Sequence, residues 1–152
     1  MPCSKCAVDP TAHSFHYIGQ LGDIKIFYTD AGAATDPDKD KDIDNLMLHL
    51  EEARGHPWIW FFNCRGMVGG SPGHSITMAK RIQADHEQLL RKVYVIHPNT
   101  WFTWVLNILK PIVKSSLIAR LEVLKEEGLA LYIRVKQLGI DHTIARQIMG
   151  KN

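Results

Sequence analysis

Two periods alternate along this chain. Ile24, Ile26 and Tyr28 alternate with Lys25 and Phe27, a period of two that predicts a strand over Asp23 to Thr29. Ser14 to Ile18 is a second strand candidate. The link between them, Gly19-Gln20-Leu21-Gly22, has a glycine at each end and predicts an antiparallel hairpin. The small and charged run AGAATDPDKDKD then reads as an exposed loop. Past it the period lengthens: Ile43, Leu46, Met47 and Leu50 share one helical face, with Asp40 or Asp42 as the cap and Gly55-His56-Pro57 near the end. Trp58 to Phe62, WIWFF, is the most apolar run and predicts a central strand. A glycine-rich stretch, Asn63 to Gly73, follows it. Ser71 or Ser75 then opens a helix reaching Leu90, with Ile76, Ala79, Ile82, His86 and Leu89 or Leu90 facing inward.

Val93 to Ile96 is apolar, β-branched and aromatic, the composition of a strand covered on both faces. Pro98 ends it, since proline lacks a ladder donor and biases His97 away from helical angles. Asn99 or Thr100 can cap the next segment. There Trp101, Trp104, Val105, Ile108, Leu109 and Ile112 recur as one wide apolar stripe, and Phe102 and Leu106 widen it. A helix apolar on more than one side needs two things to touch. Lys110-Pro111 breaks it, and a short helix and a strand over Leu121 to Leu124 come next. A helix from Glu126 to Leu138 turns Leu131, Val135 and Leu138 inward and stops at Gly139. Asp141 opens a short terminal helix within Ile140 to Met149.

This order of strands and helices is a run of βαβ units behind a hairpin. It predicts an α/β fold with a mainly parallel mixed sheet, an N-terminal hairpin and helices packed on the sheet. With 152 residues, one domain over 14–150 behind a flexible N-terminus of 1–13 is expected. Hydrophobic residues at 45% and charged residues at 22% are ordinary for a globular chain. A formal net charge of +2 offers no electrostatic footprint for nucleic acid. No apolar h-region opens the sequence, and no run approaches the roughly 20 residues of a spanning helix. Three cysteines, an odd number, fit a reducing compartment better than a disulfide framework. A cytoplasmic location is expected.

Candidate chemistry is sparse. Cys3, Cys6, His13 and His16 offer four metal-ligating side chains, but the gap between the pairs is too short for a common zinc finger. The default reading is a frayed terminus with exposed thiols. The Asp/Lys run lacks the ligand order and closing Glu of an EF-hand. The loop from Gly66 to Gly73 lies between strand and helix, as phosphate-binding turns do, yet it is neither G-x-G-x-x-G nor a P-loop. Cys64 beside Arg65 resembles a thiolate poised by a cation, against the default of a buried structural thiol. The eight histidines contain no i, i+4 pair of the helical metal-site kind.

WIWFFNCRGM, then a helix, then LLRKVYVIHPNTWFTWVLNILKPIVKSSLIARLEVL, resembles the CRAL-TRIO lipid-binding domain family. Ile96-His97-Pro98 and Gln137-Leu138-Gly139-Ile140 favour its divergent branch, which includes the BCH domains of Rho GTPase regulators. Asn63-Cys64-Arg65-Gly66, Val93 to Pro98, Lys110-Pro111 and Arg120-Leu121 stand at the family's motif places. The resemblance covers Phe15 to Gly150. It implies a non-enzymatic module whose sheet floors an apolar pocket, with the Trp101 to Ile112 helix as a movable lid. The implied pocket and lid residues are Trp58, Trp60, Phe62, Tyr94 and Ile96, with Trp101, Trp104, Val105, Ile108, Leu109 and Ile112. Arg120, in the place of the family's lysine before isoleucine, is the implied headgroup residue. No cofactor is implied beyond a bound lipid. The implied partners are a phospholipid or another hydrophobic ligand, a peripheral membrane surface, or, for the BCH branch, a small GTPase or a second copy. Three departures stand out: Asn63 replaces the usual aspartate, Ile112 replaces the phenylalanine after Lys-Pro, and no N-terminal helical subdomain precedes the strands. A phosphate- or nucleotide-using enzyme built on Gly66 to Gly73 is the competing expectation.

Overall fold

The computed structural model describes residues 15–30, 39–65 and 73–149. Five strands form one sheet: β1 (Phe15–Leu21), β2 (Ile24–Asp30), β3 (Trp58–Asn63), β4 (Leu90–Ile96) and β5 (Leu121–Leu124), in that spatial order. β1 pairs antiparallel with β2, and β2 to β5 run parallel. The described helices are α1 (Lys39–Glu52), α2 (Gly73–Asp85), α3 (Thr100–Leu109), α4 (Ser115–Ile118), α5 (Gly128–Gln137) and α6 (His142–Met149). The mixed α/β sheet with its leading hairpin is the predicted architecture.

Because side chains alternate along a strand, β3 has two apolar faces. Trp58 and Trp60 join the cluster under α1 and α2, while Ile59 and Phe61 join the one under α5 and α6. A strand covered on both sides has no polar face to show, which is why WIWFF contains no alternation. Each buried indole finds a partner. Trp58 Nε1 donates to the His86 carbonyl at 3.2 Å, and Trp60 Nε1 donates to Thr29 Oγ1 at 2.8 Å.

Two strands carry an extra residue. Trp58 pairs with Leu90 but Ile59 with Lys92, so Arg91 bulges and Leu90 joins Val93 on the tryptophan face. In β1, Tyr17 pairs with Phe27 and Gly19 with Ile26, so Ile18 is the extra residue. Gly19 therefore belongs to the strand, at φ +149°, and not to the turn. The turn is only Gly22-Asp23, with Gly22 at φ +61°, as a two-residue loop with glycine first requires.

Some boundaries differ from expectation. α1 already runs at Lys39, so Asp40 and Asp42 are positions within the helix and not at its start. α2 ends at Asp85, a turn spans 86–89, and β4 starts three residues before Val93. α6 is opened as predicted, the Thr143 N–H donating to Asp141 Oδ2 at 3.0 Å. Among the described residues, no helix is long and apolar enough to cross a membrane.

Candidate functional site

After β4, His97 adopts a left-handed backbone with φ 50°, which costs a non-glycine residue about 1–3 kcal/mol. The reversal brings Asn99 back over the end of β3. Asn99 Oδ1 accepts from the Phe102 N–H at 2.9 Å, capping α3, and its Nδ2 donates to the Cys64 carbonyl at 3.0 Å. One side chain thus fixes both the start of α3 and its distance from the sheet. At about 100° per residue, Phe102, Val105, Leu106 and Leu109 fall on one side of α3, and Trp101, Trp104 and Ile108 on an adjoining side. The first set faces the sheet. On the second, Trp104 is 46% exposed and its ring lies 4.7 Å from that of Trp101. The chain turns at Lys110-Pro111, where the Ile112 and Val113 N–H groups both donate to the Leu109 carbonyl, at 2.9 and 3.0 Å. Val113 is thereby buried and Ile112 left 40% exposed.

Beneath α3 lies an apolar hollow of about 120 Å³. Trp60, Phe62, Val93 and Val95 floor it, and Met78, Ala79 and Ile82 of α2 wall it. Leu117, Ile118 and Leu121 close the far end, and among the described residues Ser75 is the one polar side chain on its lining. An apolar cavity of roughly 150 Å³ stays dry and accepts benzene, so this space suits a hydrocarbon group and offers water few partners. A long acyl chain needs α3 to move outward. Each methylene then taken from water contributes about 0.8 kcal/mol.

The residues implied by the family pattern divide. Trp60, Phe62, Val105 and Leu109 line the hollow. Trp101, Trp104, Ile108 and Ile112 do not, and belong to the outer side of α3 and its turn. Trp58 shares the tryptophan face but lies nearer α1, edge-on to Phe27 at 5.8 Å. Tyr94 and Ile96 emerge on the opposite face, where Tyr94 stacks on Phe61 at 5.0 Å. They cannot floor a pocket under α3, because residues 94 and 96 are one step out of phase with 93 and 95. Phe102 and Leu106, read from the sequence as flanking the stripe, are its inward centre. The helical period already turns Ala79 and Ile82 of the α2 wall inward, but no local pattern assigns them, or Leu117, Ile118 and Leu121, to a pocket under α3.

Arg120 also departs from its implied role. It does not line the hollow: its Nη1 donates to the Glu87 carbonyl at 2.6 Å and lies 3.6 Å from Glu87 Oε1. Ser116 Oγ donates to the same carboxylate at 2.7 Å, and Lys114 Nζ stands 3.7 Å away. Arg120 therefore clamps the 86–89 turn to α4. Of the candidate metal ligands, Cys3, Cys6 and His13 lie outside the described residues, and His16 lies within β1. Among the described residues no cluster of three or more metal-ligating side chains occurs. The glycine-rich loop lies outside the described residues over 66–72, and Gly73 begins α2.

Cys64 is fully buried and burial pushes its thiol up to about 12, so it stays protonated and inert. Around it the carboxyl ends of β3 and β4 carry a polar chain. Asn63 Nδ2 donates to the Tyr28 hydroxyl at 3.0 Å, Asn63 Oδ1 accepts from the Arg65 N–H at 2.9 Å, and Arg65 Nη2 donates to His97 Nδ1 at 3.1 Å. Burial, then the Arg65 charge, hold the His97 imidazole below its ordinary value. At the other end of the strands a polar cleft of about 370 Å³ touches Arg54, His56, His86 and Lys114. Its charges are largely matched within the protein, Arg54 on Glu51 at 2.7 Å and Lys114 on Glu87.

The chain is an α/β fold, a five-stranded mixed sheet with an antiparallel hairpin, parallel strands and packed helices, and it has a structural counterpart. Among solved structures, the crystal structure of Sfh5, a Sec14-like CRAL-TRIO protein, is similar to this chain with a TM-score of 0.56 at 17% identity. The match covers 66% of this chain and 43% of that one, so this chain spans under half the length of Sfh5. At that identity the likeness is one of fold. No family model and no curated protein matches this chain.

Proposed function

We propose that this protein is a non-enzymatic binding module for a hydrophobic ligand, with the ligand's apolar part beneath α3. The observation that carries the reading is the pairing of an apolar hollow with a helix that is greasy on both sides. Phe102, Val105, Leu106 and Leu109 cover the hollow, while Trp104 and Ile112 already meet water. Such a helix can leave the sheet without exposing a wholly new kind of surface, which is what a lid requires. Among the described residues the hollow is lined by apolar side chains and Ser75, and the nearby Cys64 thiol is buried and held protonated. The CRAL-TRIO-like fold supports the same reading. The outward Trp101–Trp104 pair suits transient contact with a lipid surface, where aromatic rings sit at the headgroup level.

Native mass spectrometry with organic extraction of the purified protein tests this. The wild type is expected to release a lipid or another apolar molecule. Ala79→Leu, which fills the hollow from α2 with a good helix former, should lose that cargo while its Tm holds or rises. A wild type that carries nothing and does not take up a fluorescent fatty acid overturns the reading. A second reading, a protein-interaction domain in small-GTPase signalling or self-association, is favoured by Leu129 and Ile133. They lie one turn apart on α5 and are 74% and 48% exposed. Light scattering at rising concentration, with Leu129→Ser as control, separates self-association from it.

A further inference from the structure

We propose that Arg65 and His97 form a binding site for a phosphate group at the carboxyl ends of β3 and β4. Because β2 to β5 run parallel, Asp30, Asn63, Ile96 and Leu124 all end on one rim. Open α/β sheets bind ligands outside that rim. The geometry of Arg65 supplies the specific argument. Its backbone is held by Asn63, which is held in turn by Tyr28, and its Nη2 is aimed at His97. The guanidinium is thus oriented, yet its partner is an uncharged ring.

Three other arginines held by hydrogen bonds each meet a carboxylate: Arg54 meets Glu51, Arg120 meets Glu87 and Arg134 meets Glu122. Among the described residues, none lies within ion-pair distance of Arg65. On the same rim Asp30 acts on Tyr28 and Glu127 on His97. An arginine has no acceptor, so His97 Nδ1 must accept and the ring proton sits on Nε2. Among the described residues the pair therefore offers only donors and one positive charge that meets no carboxylate, the complement of an acceptor-only oxyanion. Its left-handed backbone ahead of Pro98 places the His97 ring there at a conformational cost.

Phe62 and Phe102 line the hollow, three residues before Arg65 and five after His97. The phosphate could therefore belong to a lipid headgroup or to a free phosphate. The site itself does not depend on what fills the hollow. Histidine-labelled protein, with His97 assigned through His97→Asn, is titrated at fixed pH and ionic strength with inorganic phosphate. A parallel titration uses phosphatidylcholine vesicles with and without phosphatidic acid. A saturable shift of the His97 resonance is expected, weakened about tenfold or more in Arg65→Gln, part-retained in Arg65→Lys and unchanged in Arg91→Gln. Saturation by inorganic phosphate supports the site with free phosphate as a source. Saturation only by phosphatidic acid vesicles, with the same dependence on Arg65, supports it with a headgroup as the source. No saturable shift in either titration overturns the proposal, as does an unchanged midpoint in correctly folded Arg65→Gln. An empty hollow with intact phosphate binding would remove the hydrophobic-ligand reading alone.

Discussion

Cys64 and Gly19 show how far a residue's neighbours decide its role. Beside Arg65 in the sequence, Cys64 has the company of a reactive thiolate. In the fold its side chain joins the tryptophan-face core and Arg65 turns away to His97, so burial outweighs the cation. Iodoacetamide at neutral pH should leave the Cys64 peptide unmodified in the native protein and label it in denaturant, read by mass spectrometry. Labelling in the native state would contradict its burial. At Gly19 an added Cβ would stand 2.5 Å from Ile144 Cδ1, at a φ that L side chains rarely adopt. Gly19→Ala is expected to cost about 1–3 kcal/mol in urea denaturation. Adding Ile144→Ala relieves the contact, but it leaves the backbone strain and removes packing against the β1 bulge.

α3 is where amphipathicity becomes a functional statement. Its apolar arc covers more than half its circumference, wider than the stripe of an ordinary surface helix. The inner part roofs the hollow and the outer part meets water. Unequal costs should follow. Val105→Ala, at a residue 3% exposed, should lose about 1–3 kcal/mol of stability. Trp104→Ser, on the open side, should lose about 1 kcal/mol or less while weakening adsorption to vesicles. Equal losses from the two would mean that both sides pack in solution, and the lid would have no free face.

Across the whole molecule, two histidines in different places push stability in the same direction. Burial, then Arg54, hold His86 below the ordinary imidazole value, against the smaller pull of Glu51 and Asp85. Burial, then Arg65, do the same for His97, against Glu127. A folded-state value below the unfolded one means that the unfolded chain binds more protons near 6.5. The stabilisation is complete above that value and is lost as the pH falls below it. Tm should accordingly drop from pH 7.5 to pH 5, and His97→Asn, which tolerates a left-handed backbone, should flatten the slope. A Tm that rises on acidification would contradict both assignments.

Element order and type are legible in the order of residues alone, because hydrophobic period is a local property: two for the hairpin, 3.6 for α3, and an unbroken run for β3. The Asn99 cap and the Pro111 break are legible for the same reason. The boundaries of α1 and α2 are not, since a capping residue in the sequence does not reveal whether the helix begins before it. Nor is the site. The phase of β4 relative to β3, which sends Val93 and Val95 under α3 and Tyr94 and Ile96 away from it, is set by pairing and by the Arg91 bulge. Arg120 is taken up by Glu87, a residue 33 positions away, and Arg65 meets His97 across 32. A chain carries its periods in its covalent order. Which side chains share a cavity, and which charges find partners, depends on distances that exist only once the strands are laid side by side.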